Sequence, residues 1–332
     1  MTEHPEKETR ATGAPLTFGI YPGNSTGIAA GAPDDPARIQ EALKQLQAPG
    51  RPFLVRGYMP YSGSLANTNA DIEATPANVV QYIRDGRKLD LVLQFRVPDL
   101  EGWLSFIRET VKRYGPFLAK LQITEEPNAT NLSLLDGTTP GVREAIVQGV
   151  FAAKEEVQRQ GYDIQVGFNV AFSPYPNDDF WPAIRKLGGL SFVEALDYVG
   201  LDFFPDVFRS LAPDGQPGDL RSSVVAVLNH FRNVSMAAAG IPASVPLHIT
   251  ENGWPTGPTR TYERQTTVIE TIIQTIYEQR ERFNITHYEL FDLRDADSAN
   301  PDLFSQFGLL RDNYSPKPAF ETYRRLIATL GV

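Results

Sequence analysis

Short apolar runs rich in β-branched and aromatic residues alternate along the chain with longer segments whose apolar residues recur every three or four positions. That alternation is the signature of βα units feeding a parallel sheet. Eight runs are predicted as strands: Leu16 to Tyr21, Phe53 to Tyr58, Leu89 to Phe95, Ala119 to Thr124, Ile164 to Val170, Leu196 to Phe203, Leu247 to Thr250 and Thr286 to Phe291. After the fourth run Val142, Ile146, Val150, Ala153 and Val157 mark one face of a helix, and Gly161 sits just past its end. After the seventh, Val268, Ile272, Ile276 and Phe283 do the same. Thr75-Pro76 and Thr139-Pro140 each set a hydroxyl before a proline suited to a first helical turn, which predicts helix starts at both points.

Spread over 332 residues, eight units average about 40 residues each, the size of a strand, a helix and two modest loops. The expected architecture is therefore α/β, a single (β/α)8 TIM barrel over residues 16–332, preceded by a polar, disordered arm over 1–15. An open doubly wound sheet would place a Gly-rich turn after its first strand. The chain instead reads Tyr21-Pro22-Gly23-Asn24-Ser25 there. No linker-like change of composition interrupts the eight units.

Composition narrows the function. Hydrophobic residues make up 42% and charged residues 21%, which suits an ordinary folded domain. The net charge is −9, the pI is near 5.1, and no Lys/Arg-rich run occurs. No nucleic acid or anionic membrane partner is expected from such a chain, and a small neutral or cationic ligand fits better. The absence of cysteine removes disulfides, thiolate metal sites and Cys nucleophiles, and it is compatible with either redox compartment. The segment 1–15 has no apolar signal region, so the chain as it stands is expected in the cytoplasm, and secretion stays open if a leader has been removed. Oligomeric state is not legible. The Asn-x-Ser/Thr triplets at Asn24 and Asn128 carry no weight, because so short a motif recurs by chance.

In a barrel the reacting groups sit at strand C-termini and on the loops that follow. Two of the eight ends carry distinctive chemistry: Thr124-Glu125-Glu126-Pro127-Asn128 after the fourth strand and Thr250-Glu251-Asn252-Gly253-Trp254-Pro255 at the seventh. A carboxyl at each of two strand ends across a barrel mouth is what glycosidic cleavage needs, one to protonate the leaving oxygen and one to stand anionic on the other face of the sugar. A lone rim carboxylate would simply be solvated. The pairing and the flanking residues favour chemistry.

Those flanks carry a resemblance. Glu126-Pro127-Asn128 is similar to the Asn-Glu-Pro-Asn acid/base motif of clan A glycoside hydrolases, and Glu251-Asn252-Gly253-Trp254-Pro255 resembles their nucleophile motif on the seventh strand. Leu290-Phe291-Asp292, Phe307-Gly308-Leu309-Leu310 and Ser315-Pro316-Lys317-Pro318-Ala319-Phe320 resemble the end of many members, so the likeness runs through the whole chain. It implies a retaining β-glycosidase with Glu126 as acid/base and Glu251 as nucleophile, a carbohydrate substrate, no cofactor and no metal. It also implies that Arg56, closing the second strand, either holds Glu251 ionised or serves only as an ion pair closing the barrel. Tyr58, Glu125, Asn128, Phe204, Trp254 and Phe291 complete the candidate substrate-binding set, the aromatic members suiting the apolar faces of a sugar.

The chain departs from the clan at three points. Glu125 stands where an Asn binds the sugar 2-hydroxyl, Phe204 where a tyrosyl hydroxyl orients the nucleophile, and Phe291 where a Trp floors the sugar site. If Glu125 and Glu126 both face the cleft, repulsion raises the pKa of one of them, whereas strict strand alternation would turn Glu125 away. The alternative reading is a carbohydrate-binding or catalytically impaired barrel. A metal-dependent hydrolase is disfavoured, since His248 and His287 alone fall on strands and neither opens a paired motif.

Overall fold

In a computed structural model of the chain, residues 14–23, 29, 31–63, 75–131, 135–175, 179–208 and 219–332 are described. The arm expected over 1–15 lies outside them save for its last two residues, as does Asn24. Eight strands, β1 (Thr17–Ile20), β2 (Phe53–Tyr61), β3 (Lys88–Phe95), β4 (Leu118–Ile123), β5 (Gln165–Ala171), β6 (Tyr198–Asp202), β7 (Leu247–Asn252) and β8 (Ile285–Leu290), close in sequence order into one parallel barrel. The closing seam pairs β1 with β8, Phe18 opposite Tyr288 and Ile20 opposite Leu290. The chain is thus a (β/α)8 barrel.

The outer layer is built from α1 (Pro36–Leu46), α2 (Leu100–Tyr114), α3 (Val142–Gln160), α4 (Phe180–Ala195), α5 (Leu220–His230), the short α6 (Met236–Ala238), α7 (Tyr262–Phe283) and α8 (Pro318–Leu330). The predicted apolar faces are the ones that pack. Ile146, Val150 and Ala153 of α3 and Val268, Ile272 and Ile276 of α7 are all buried in one continuous core with Leu121, Ile123, Val166 and Phe168 of the strands. The chain ends are tied in as well. Leu16 N–H donates to the Leu330 carbonyl and Val332 N–H to that of Leu16, at 3.1 and 2.9 Å, while Arg280 Nε donates to the Ala14 carbonyl at 2.8 Å.

Two predicted helix starts are corrected. Thr75 forms an antiparallel bridge with Tyr58 instead of capping a helix, and after Pro76 the chain makes only a 3-10 turn, Val79–Tyr82. Asn78 enters that turn with φ of 54°, and Asp85 and Gly86 follow with φ of 56° and 82°. Left-handed residues at both ends leave no room for a regular helix. Thr139 closes a separate 3-10 turn through its N–H to the Asp136 carbonyl, and α3 begins after Gly141, whose φ is 81°.

Inside the barrel the usual Val/Ile/Leu layers are replaced by polar ones. Arg56, Asp90, Lys120, Gln122, Asn169, Tyr198, His248 and Glu289 are all fully buried. Arg56 Nη1 donates to Asp90 Oδ2 at 2.7 Å, and Lys120 Nζ bridges Asp90 at 3.1 Å and Glu289. Burial pushes both acids up, but Lys120 and Arg56 win at Asp90 and hold its carboxyl at about 2. At Glu289 burial wins, with the charge of Asp90 adding to it; the acid shares Lys120 but lacks the direct Arg56 bond that Asp90 has, and it is pushed up to about 8. His248 lies flat on Tyr198, ring centroids 4.2 Å apart, and 3.9 Å from His287. Burial, with Lys120 adding to it, pushes both imidazoles down, His287 to about 3, so these rings are neutral packing elements.

A stability prediction follows from Glu289. Pushed up to about 8 from the ordinary glutamate value of 4.5, this carboxyl holds a proton in the native state across that range that the unfolded chain has released. Stability from this group is whole below pH 4.5 and is lost as pH rises through 8. Glu289→Gln should therefore gain on the wild type by about 1 kcal/mol per pH unit across that window. Urea unfolding from pH 4 to pH 9 measures it, and a constant difference between the two proteins would place no proton on Glu289.

Candidate active site

Two local irregularities at the barrel mouth gather its carboxyls. On β7 the pairing with β6 runs Leu201 to Ile249 and then Asp202 to Glu251, so Thr250 is an extra residue in the ladder. Such a bulge re-aims the residues beside it. Thr250 Oγ1 donates to Asp202 Oδ1 at 2.5 Å, and its neighbour Glu251 also reaches the mouth, 3.5 Å from Arg56 Nη2. Gly200 leaves the space for this: a Cβ there would lie 2.7 Å from Thr250 Oγ1 and 2.8 Å from Asn169 Cβ.

On the other side β4 ends at Ile123, and Thr124 and Glu126 take φ of 72° and 42°. Left-handed residues break strand alternation, so Glu125 does not turn away. Glu125 Oε2 lies 3.7 Å from Arg56 Nη2 and accepts from Gln122 Nε2 at 2.9 Å. Its backbone N–H donates to Asp136 Oδ2 at 2.7 Å, and the same oxygen accepts from Phe95 N–H at 2.8 Å, which locks the β4 end to the β3 end. Glu126, half-buried, donates its N–H to Asn169 Oδ1 at 2.9 Å, and Asn169 Nδ2 in turn donates to Asp202.

Glu251 is oriented from β2. Tyr58 donates its hydroxyl to Glu251 Oε1, and Arg56 Nε donates to the same tyrosyl oxygen at 2.8 Å. The hydroxyl that Phe204 lacks thus comes from a different strand. The Arg56 guanidinium touches Asp90, Gln122, Glu125 and Glu251 together. One carboxyl oxygen from each of Glu125, Asp202 and Glu251 lies within 4.8 Å of the other two. By donor type that trio would suit a hard divalent cation. Arg56 already lies against two of its three members and supplies the positive charge there.

Burial raises Glu126 well above the usual carboxylate range, and the charges of Glu125 and Glu251 add to the effect against the pull of Arg56. Glu125 is raised by burial and then by Glu251 and Asp202, again opposed by Arg56. Asp202 follows the same pattern, with burial first and Glu251 and Glu126 next. Burial and mutual repulsion at the mouth thus favour the protonated form of these carboxyls, the form an acid catalyst requires.

The other candidates divide. Phe291 stacks on Tyr21 at 5.2 Å between ring centroids and meets Phe204 edge-on at 6.4 Å, and Tyr21 meets Tyr58 at 5.2 Å, so these rings form one aromatic wall beside the carboxyls. Asn128 bonds through both ends of its amide to the backbone of Ala171, at 2.8 and 3.0 Å, which pins the loop after β4 to the end of β5. Trp254 is 3% exposed and its Nε1 donates to the Asp206 carbonyl at 3.3 Å, so its ring packs between the loops after β6 and β7. Asp202, Asn169, Gln122 and Thr250 were not among the predicted site residues. Asp202 and Asn169 carried a readable signal, a polar residue near the C-terminal end of a barrel strand.

No protein family profile and no curated protein sequence matches this chain. Solved structures do. A family 39 glycoside hydrolase from the gut symbiont Bacteroides cellulosilyticus WH2 superposes with a TM-score of 0.65 at 13% identity, over 96% of this chain and 64% of that one. The chain thus spans just under two thirds of that enzyme's length. A β-glucosidase from Thermotoga maritima gives 0.61 at 11% identity over 96% and 98% of the two chains, and one from Exiguobacterium marinum gives 0.60 at 12% over 94% and 97%. The barrel has the fold of these glycoside hydrolases.

Proposed function

We propose that the chain hydrolyses a β-glycosidic bond with net retention, Glu251 acting as nucleophile and Glu126 as acid/base. The observation that carries this reading is the setting of Glu251, whose Oε1 receives the Tyr58 hydroxyl and faces Arg56 at 3.5 Å, with a half-buried Glu126 near it whose carboxyl is pushed well above the usual carboxylate range by burial and by the charges of Glu125 and Glu251. In the first step a Glu251 oxygen attacks the anomeric carbon while the bond to the leaving oxygen breaks and that oxygen takes the Glu126 proton. In the second, Glu126 receives a proton from water as the water oxygen displaces Glu251 and restores its carboxylate. Half-buried Phe291, backed by the buried Tyr21 and next to Tyr58, offers an apolar face for a sugar ring beside these groups, and the β-glucosidases that share the fold lend further support.

The test is a panel of aryl β-glycosides and β-linked polysaccharides, with proton NMR following the first-formed anomer. Release of a β-anomer before mutarotation is expected. Release of the α-anomer would overturn retention. Sugar binding by calorimetry with no turnover of any panel member would replace the enzyme by the carbohydrate-binding barrel that Glu125, Phe204 and Phe291 suggest.

A further inference from the structure

Among the described residues, Glu125 has one oxygen held by an amide donor and the other unbonded. Glu251 Oε1 accepts from Tyr58 and stands near Arg56, and Asp202 accepts on both oxygens, from Thr250 Oγ1 and Asn169 Nδ2. Glu125 Oε2 accepts from Gln122 Nε2, and the direction of that bond is fixed, because Gln122 Oε1 is taken up by Arg56 Nη2 at 3.0 Å. Glu125 Oε1 has no hydrogen-bond partner among the described residues. A proton on Oε1 therefore displaces no existing bond, while it relieves repulsion among three carboxyl groups gathered within 4.8 Å. A carboxylic acid so held is an amide in outline, with one oxygen accepting and one group donating.

We propose that Glu125 binds substrate as a protonated carboxylic acid, donating from Oε1 to a hydroxyl of an uncharged sugar, and that the mouth selects neutral glycones against uronides. The naming of the ligand rests on the glycosidase reading above. The charge balance supports the selectivity. Groups facing Glu125 are Arg56 and Tyr58 on β2, Gln122 on β4, Glu126 and Asp136 after it, Asp202 on β6 and Glu251 on β7. Among the described residues two cations bear on them: Arg96 is paired with Asp136 at 3.2 Å, and Arg56 is taken up by its contacts with Asp90, Gln122, Glu125 and Glu251, so both guanidinium groups are already committed to the protein's own acids. Burial and then the charges of Glu251 and Asp202 push the Glu125 carboxyl up against the pull of Arg56, which favours its protonated form. Once that proton leaves, a donor becomes a buried anion facing a hydroxyl, and binding weakens.

Calorimetry tests this without turnover, using 4-nitrophenyl 1-thio-β-D-glucoside, the matching galactoside and the matching glucuronide as probes. The wild type should bind a neutral thioglycoside at least tenfold more tightly at pH 6 than at pH 9.5. Glu125→Gln should lose most of that dependence, keeping only the part due to Glu126 and Asp202, and Glu125→Ala should bind it weakly throughout. The glucuronide should bind the wild type at least a hundredfold more weakly. A pH dependence as large in Glu125→Gln as in the wild type, or a preference for the glucuronide, overturns the proposal, as does failure of all three probes to bind. If the neutral probes bind as stated and no aryl glycoside is cleaved, the hydrolase reading fails and this assignment stands.

Discussion

Glu251→Ala is expected to lower kcat on aryl β-glycosides by roughly 10⁴- to 10⁶-fold, the cost of removing a group that forms a bond in the reaction. The fold should survive. Glu251 sits at the rim of the barrel, and without it Arg56 still donates to Asp90 and Gln122, so no buried cation is stranded. Azide supplies the test that a merely structural role could not pass. Small enough to enter the vacated space, it should attack the anomeric carbon from the face Glu251 had used and give an α-glycosyl azide from a 2,4-dinitrophenyl β-glycoside. Recovery of the α-azide with unchanged near-UV circular dichroism is the expected result. Turnover within tenfold of the wild type, or a β-azide, would remove Glu251 from the nucleophile role.

The strands and the two carboxylate-bearing ends were legible because they depend on local periodicity and on residue type at strand termini. Eight apolar runs recur as eight paired strands, and Arg56 faces Glu251, because both facts need only a count of elements and the closure of a barrel. Other features depend on geometry with no residue signature. The extra residue at Thr250 and the left-handed turns at Thr124 and Glu126 let adjacent residues share the mouth, which strict alternation would forbid. The role of Tyr58 could have been read from its spacing, since it stands two residues beyond Arg56 on the same strand and so faces the same side. The missing helix after β2 was foreshadowed by Asn78 and by Asp85-Gly86, turn residues that outweigh one Thr-Pro pair. Trp254 and Asn128 matched family positions in sequence, yet their hydrogen bonds commit them to holding loops.

Adjacent glutamates at the end of β4 make the assignment of the acid the step most open to direct attack by experiment. Glu126 precedes Pro127, is half-buried and is raised in pKa by burial and by the charges of Glu125 and Glu251. Glu125 is 4% exposed, and its Oε2 is fixed by Gln122 and Arg56. Of the two, Glu126 is the one with solvent access, which the second step requires for a water molecule to be deprotonated. A general acid matters most when the leaving group is poor, and it contributes on the order of 10²- to 10⁴-fold. Glu126→Ala should therefore lose activity by that factor on alkyl or oligosaccharide glycosides. On dinitrophenyl glycosides kcat/KM should fall less than about tenfold, because that leaving group departs without a proton. With Glu126→Ala, azide should now enter from the opposite face and give a β-glycosyl azide, the converse of the Glu251 result. Glu125→Ala should depress kcat/KM on both substrate classes by the same factor, since a lost binding contact does not sense the leaving group. A leaving-group dependence found in Glu125→Ala and absent from Glu126→Ala would exchange the two roles, and the acid would then be the residue that contacts Arg56.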